Sequence, residues 1–527
     1  MRRFSLPLRL RGAARPRSVA IVAGSLALAA ACVPRDDRAL DQAAEISSGV
    51  ACAQLAETEP RVPLPRDLNA LLGTWHLDLH LDGALPFPRA LRVSRTSTFG
   101  AQRLQVLFRP GHLLWRSEYD AGTTHILWAL DACHASSPNE LHGVLQRCAT
   151  FIDTTTMMPR TECLNGRFQA KRVAPLAGEP PSAGLRFLGE VNEFPGAAVE
   201  SETANVRVRE DVAYLARFED GLRIVDMRDP ARPQHLGHVE PRELPRGEIF
   251  NDVKLLGHHA LLASSRFGLV IVDVADPRAP ATITSFPVRG PNRTRVNVHS
   301  IFVEGTTAYL AELSFAGIRA VDLREPTLPE DRGVFATREG SVQEDAFVHD
   351  LSVSDGIAWL NYWGLGLVAI DLTGPSPREL GRFTYPRMTS HANATFRTGG
   401  RRYALHGDED FGAHLRILDI TAPGDDRFLK QVAAVSLRPE VSIHNIEMHG
   451  TRAYIAWYQD GLRVLDLANP ARPRQVAHFN TWNPRVHPGL SFYEGAIGVH
   501  VDPNRRRVYL ADTHRGLIVL EDPALGP

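Results

Sequence analysis

Lysine is nearly missing from this chain of 527 residues, occurring only at Lys171, Lys254 and Lys430, so almost all positive charge is arginine. No sign of charge dominates, because 59 basic and 60 acidic residues leave a net charge of -1. Beyond the extreme N-terminus no long basic run occurs, and the electrostatic footprint of a nucleic-acid binder is absent. The apolar segment 19–31 holds thirteen residues, too few for a helix to cross a bilayer, which takes about 20. No P-loop, HExxH or Gly-x-Ser-x-Gly occurs in the chain beyond that segment. Gly364-Leu-Gly366-Leu-Val-Ala369 has the spacing of a dinucleotide fingerprint, but it leads into a strand rather than a helix. Hydrophobic residues at 44% and charged residues at 23% exclude wholesale disorder. The length calls for at least two domains.

The N-terminus is an export signal. Arg2, Arg3, Arg9, Arg11, Arg15 and Arg17 precede the apolar segment, which ends at Cys32. Leu28-Ala29-Ala30-Ala31-Cys32 resembles the lipobox of bacterial lipoproteins, with Leu28 one place further from the cysteine than is usual. That resemblance implies removal of 1–31, acylation of Cys32 and a tether over 32–60. Val33 lacks the aspartate that retains lipoproteins in the inner membrane, so the outer membrane or cell surface is expected. The other cysteines are Cys52, Cys133, Cys148 and Cys163. An even number in an exported chain predicts two disulfides, with three pairings open. Without CxxC spacing, structural zinc is not expected there.

Residues 173–184 are rich in Pro, Gly and Ala and mark a linker. Beyond it one unit recurs: a short strand, a loop, a glycine-led strand closed by an acid, and Asp-Pro-x-x-Pro. The glycine-led strand stands at 221–226, 268–273, 317–322, 366–371, 414–419, 461–466 and 516–521. The closing acids are 47, 49, 49, 48, 47 and 55 residues apart, a period that fits propeller blades of four strands. The seventh unit ends before its fourth strand, and Arg186-Phe-Leu-Gly-Glu-Val191 reads as the missing one. Pairing the two would close a ring and remove its open edges. Units such as Gly268-Leu-Val-Ile-Val-Asp273 resemble the LVIVD-repeat family of β-propellers, found mainly in secreted and lipoprotein chains. The resemblance covers 185–527, departs at His414 where a glycine is usual, and implies a fold and a surface location rather than an activity.

Residues 61–172 alternate like strands, as in Trp75-His-Leu-Asp-Leu-His-Leu81, and predict a small disulfide-bonded β-barrel or β-sandwich. Gly73-Thr-Trp75 and the closing Gly166-Arg-Phe-Gln-Ala-Lys-Arg172 are faintly similar to lipocalins, in which a first-strand Trp packs beneath a last-strand basic residue. The whole is read as all-β, a seven-bladed propeller preceded by this domain.

Five units carry a histidine early in their first strand: His299, His349, His391, His444 and His500. First strands of propeller blades line the central channel, so these imidazoles are expected at its mouth. Neutral imidazole is the usual nitrogen ligand of Zn, Cu or Fe, and His299, His349 and His444 are the leading metal candidates. The competing reading is structural, with each ring bonded inside its blade to Ser300, Asp350 or Asn445. Loops between second and third strands should open on the same face, and they offer Phe218, Asp220, Tyr362, Trp363, Trp457, Tyr458, Asp460 and His514 as a recognition surface. The acidic run 408–410 reads as solvated charge or a calcium site. The expectation is a monomeric, lipid-anchored binding module for an extracytoplasmic protein, glycan or small ligand. The alternative is a metal-dependent oxidase or lyase at the histidine-lined channel.

Overall fold

The structure is a computed structural model that describes Cys52 and residues 62–94, 103–109, 112–197, 201–239, 249–288, 297–313, 317–337 and 345–526. The export segment 1–31, Cys32 and most of the tether 32–60 lie outside the described residues. Among the described residues there is no α-helix, and a short 3-10 turn spans Leu68–Leu71. Among the described residues no helix is long and apolar enough to cross a membrane.

The N-terminal part is one antiparallel sheet of seven strands, β1 (Gly73–Leu81), β2 (Phe87–Val93), β3 (Arg103–Arg109), β4 (His112–Ala121), β5 (Thr124–Ser137), β6 (Glu140–Ile152) and β7 (Pro159–Arg172), in the order β2-β1-β7-β6-β5-β4-β3. It is not a sandwich. The sheet curls on itself, since Phe87 of β2 meets Trp128 of β5 edge-on at 5.8 Å, and Trp115 meets Phe168 at 5.8 Å. Trp75 is wholly buried in its core, and the Arg172 guanidinium lies 4.7 Å from the Trp75 ring. The expected pairing of a first-strand Trp with a last-strand cation is therefore present. Two disulfides, Cys52–Cys133 and Cys148–Cys163, resolve the open pairing, the second across the neighbouring strands β6 and β7.

Residues 203–521 form seven further antiparallel sheets, spanning 203–239, 250–286, 298–336, 348–383, 390–435, 446–479 and 496–521. We number them one to seven. The first strand of each sheet touches that of the next, and the first strand of sheet seven touches that of sheet one, so the array is a closed, propeller-like ring. The seventh sheet is completed by Arg186–Val191, which pairs antiparallel with Gly516–Glu521. The segment 173–184 is not a free linker. Ser182–Ala183 adds a fifth strand to sheet six, and Glu179 pairs with Arg463 at 2.5 Å.

The repeated residues have local reasons. Third strands such as Gly268–Asp273 are buried on both faces, which is why they read as unbroken Val/Ile/Leu runs rather than alternating ones. The closing aspartate accepts the N–H two residues on, at 3.0 Å for Asp226, 2.8 Å for Asp273 and 2.9 Å for Asp322, and turns the chain outward. The leading glycine of sheets one, two, four, six and seven sits at positive φ, 77° at Gly268 and 73° at Gly461, in the left-handed region that a side chain resists. Sheet five departs here: Gly412, with φ 82°, takes the left-handed position, and His414 follows it. Its loop is re-routed as a result.

Candidate functional site

A bulge fixes the channel geometry. In sheets one to five and seven the first strand carries one extra residue near its start, at Ala204, Asn251, His299, His349, His391 and Ile497. A bulge inserts one unpaired residue and re-aims its side chain. His444 precedes the first strand of sheet six, held by His444 N–H to Ala456 O at 2.8 Å. Four of the five predicted histidines converge: ring centroids are 4.0 Å apart for His299 and His349, 4.2 Å for His349 and His391, and 4.2 Å for His391 and His444. His500 does not join them. It lies three residues past the bulge, with Nδ1 3.5 Å from Glu447 and its ring near Tyr509, and Ile497 takes the corresponding place.

The residues after the bulges carry the structural bonds. Asn205 donates to Asp252 at 2.6 Å, Ile301 N–H donates to Asp252 at 2.9 Å, and Ser300 donates to Asp350. This polar belt ties adjacent sheets without using an imidazole. Ser300 and Asp350, expected as partners of the histidines, are thus partners of the belt. His299 and His444 do have backbone anchors, with Nδ1 3.2 Å from His349 O and 2.6 Å from Ile497 O. By contrast His349 Nδ1 and both ring nitrogens of His391 are buried without a hydrogen-bond partner. An unsatisfied buried polar atom costs roughly 1–3 kcal/mol, and no protein group offsets that cost at His391.

The carboxylate that joins the histidines is Glu409, read from the sequence only as part of the acidic run 408–410. It lies in the re-routed loop of sheet five and is buried. Its Oε2 is 3.5 Å from His391 Nε2 and 3.8 Å from His349 Nε2, and its Oε1 is 3.9 Å from His444 Nε2. Tyr458 donates its hydroxyl to Glu409, from a backbone held at φ 31°. His349, His391 and Glu409 offer ligand atoms all within 4.8 Å of one another. The signal was available in Asp408-Glu409-Asp410, since a run of acids beside a displaced glycine marks an unusual loop.

Burial governs the electrostatics. Desolvation raises the Glu409 carboxyl to about 8 and lowers His444 to about 3 and His299 to about 4. It also drives His349 and His391 well below the ordinary histidine range, helped by the neighbouring imidazoles. Near neutrality the cluster therefore holds uncharged imidazoles and a carboxyl in its acid form.

The expected recognition surface is largely internal. Asp220 bonds Arg217 at 2.8 Å and Arg223 at 2.7 Å, and Tyr362, Trp457, Tyr458 and Asp460 are buried, Asp460 paired with Arg438 at 2.5 Å. Trp363 leans on His349 at 5.2 Å, and Phe218, Trp363 and His514 alone of the eight keep partial exposure. Much of this face is covered by the N-terminal sheet. His76 of β1 bonds Glu440 O at 2.5 Å, Arg92 of β2 donates to Pro488 O at 2.8 Å, and Ala90 packs on Phe411 and Phe492. Arg387 joins Asp78 of β1, at 2.6 Å, to Asp410, at 2.6 Å, one residue from Glu409.

Residues 201–240, 250–287 and 443–481 each match the LVIVD repeat family model, falling on sheets one, two and six. No curated protein matches the chain. Among solved structures, the computationally designed Ika8 protein is similar at 8% identity and a TM-score of 0.42, over 63% of this chain and 99% of that one.

Proposed function

From the premise that this chain carries LVIVD repeats, we propose that it is an exported, lipid-anchored protein whose seven sheets are the blades of a β-propeller, and that it works by binding a small ligand or ion in the axial pocket. The observation that carries this reading is His391, buried with both ring nitrogens unpartnered, in a pocket shared with His349, His444 and Glu409. A protein or glycan docking on the loop face would find five of the eight candidate side chains buried, with Phe218, Trp363 and His514 partly exposed. An enzymatic role, as an oxidase or lyase, would use the same pocket. The two disulfides fit an oxidising, extracytoplasmic compartment, and acylation at Cys32 would hold the protein, as a monomer, at the outer membrane or cell surface.

The test is the mass of the full chain extracted from membranes. Under native conditions it is expected to exceed the denatured mass by a pocket occupant that His391→Ala abolishes. The denatured mass should show loss of 1–31 and added acyl chains. Equal native and denatured masses in the unsubstituted protein would overturn the pocket reading, and an unacylated N-terminus would overturn the anchor.

A further inference from the structure

We propose that the occupant of the axial pocket is a single transition-metal ion of the zinc or iron class, held by His349 Nε2, His391 Nε2 and a carboxylate oxygen of Glu409, with His444 as the next ligand. This rests on the pocket being the binding site and adds the chemistry of what it binds.

Three independent features converge. The first is spacing. Ligands about 2.1 Å from a tetrahedral ion sit about 3.4 Å from one another. Glu409 Oε2 stands 3.5 Å from His391 and 3.8 Å from His349, and the ligand atoms of these three residues all lie within 4.8 Å of one another, while His444 stands further off, 3.9 Å from Oε1. The second is unmet bonding. His391 has no partner at either nitrogen, and a cation would supply one to its Nε2. The third is orientation. With His444 Nδ1 bonded to the Ile497 carbonyl, the proton sits on Nδ1 and the Nε2 lone pair is left facing Glu409, the arrangement metal-bound imidazoles use. Tyr458 steers Glu409 in the same way, by donating to its Oε1 and leaving Oε2 toward His349 and His391.

The ligand set selects the ion. Two or three imidazoles with one carboxylate suit Zn(II) or Fe(II), whereas calcium and magnesium require mainly oxygen ligands. The four cysteines among the described residues are all paired as disulfides and offer no thiolate.

Cobalt(II) is the probe, because it takes zinc-like sites and absorbs in the visible. The full chain, without a polyhistidine tag, is treated with chelator, loaded with Co(II), Zn(II) or Fe(II), desalted and analysed for metal. About one equivalent is expected, with a Co(II) absorption band in the visible. Both should be lost in His391→Ala and in Glu409→Gln, the second chosen because it keeps the shape of the side chain. Near-ultraviolet circular dichroism checks that each variant is folded. Metal retained by folded variants would overturn the ligand set. A native mass excess from a metal-free occupant would overturn the metal while leaving the pocket reading standing, whereas no mass excess and no metal uptake would remove both.

Discussion

Asp252 is held from several sides: it accepts from Asn205 at 2.6 Å, Val253 N–H at 2.8 Å and Ile301 N–H at 2.9 Å, and it pairs with Lys254 at 2.6 Å. It thereby ties the first strands of sheets one, two and three. Replacing it with alanine strands the Lys254 ammonium and three donors, a loss on the order of 3 kcal/mol, which should appear as a lower urea midpoint. A loss below about 1 kcal/mol would mean that the belt is not structural. A second residue-scale device is the buried pair of His487 and Asp512, 2.9 Å apart. Burial pulls His487 down, but Asp512 outweighs it and the imidazole ends above its ordinary range; burial pushes Asp512 up, yet His487 holds it well below. The histidine's contribution is complete below its unfolded pKa of 6.5 and fades as pH rises through the raised value, while the aspartate's is present above 3.8 and fades as pH falls. The melting-temperature gap between the native protein and His487→Asn should therefore narrow as pH goes from about 6 to about 9. A constant gap would show that the pair is not ionised.

At the scale of the strand, the glycine that opens each third strand can be tested against one that does not. Gly461 has φ 73°, and a Cβ there would strike the Phe479 carbonyl across the sheet, whereas Gly399 has φ 55° and opens on free space. Gly399→Ala should cost about 1 kcal/mol of backbone strain and Gly461→Ala more than about 2. Equal losses in thermal unfolding would remove the packing argument. Deletion of Arg186–Val191 should lower the melting temperature further, because it exposes the edge of Gly516–Glu521 in sheet seven. These elements were legible because their reasons are local: a glycine for a left-handed turn, an aspartate for the N–H two residues on, a run of Val and Ile for a strand covered on both faces. His299, His349, His391 and His444 were legible for the same reason, the first three standing at the start of a first strand and His444 just before one. His500 was misplaced because which residue becomes the bulge depends on pairing across strands, and in sheet seven that residue is Ile497. Glu409 was legible only as one of the acidic run 408–410, because three consecutive acids ordinarily signal a solvated loop and only the tertiary fold turns the middle one toward His349 and His391. The sheet that covers the loop face was illegible as well, since its contacts join residues 300 or more positions apart, as Asp78 joins Arg387.

On the scale of the molecule, the N-terminal sheet and the ring meet through Arg387, which sits at φ 55° and grips Asp78 with two bonds of 2.6 and 2.9 Å while holding Asp410. Burial opposes ionisation of Asp78, but His80 and Arg387 keep its carboxyl below the ordinary range, so the contact is a charged one within a largely buried interface. Since Asp410 adjoins Glu409, the same guanidinium that seats the sheet also fixes the loop that carries the pocket's carboxylate. Arg387→Met keeps much of the side-chain bulk and removes the charge, leaving Asp410 without its guanidinium and Asp78 with His80 alone, and should weaken the interface by about 3 kcal/mol. The sheet would remain attached through Ser182–Ala183 on sheet six and Glu179 on Arg463. Loosening should thus be local: amide hydrogen exchange is expected to rise in β1 and across 408–413, and to stay unchanged in the third strands of sheets two and three, Gly268–Asp273 and Gly317–Asp322. A variant with unchanged exchange at 408–413 would show that Glu409 is held by Tyr458 and the ring alone. A rise at 408–413 matching that in β1 would make the covering sheet part of the pocket's construction, not an appendage to a self-sufficient ring.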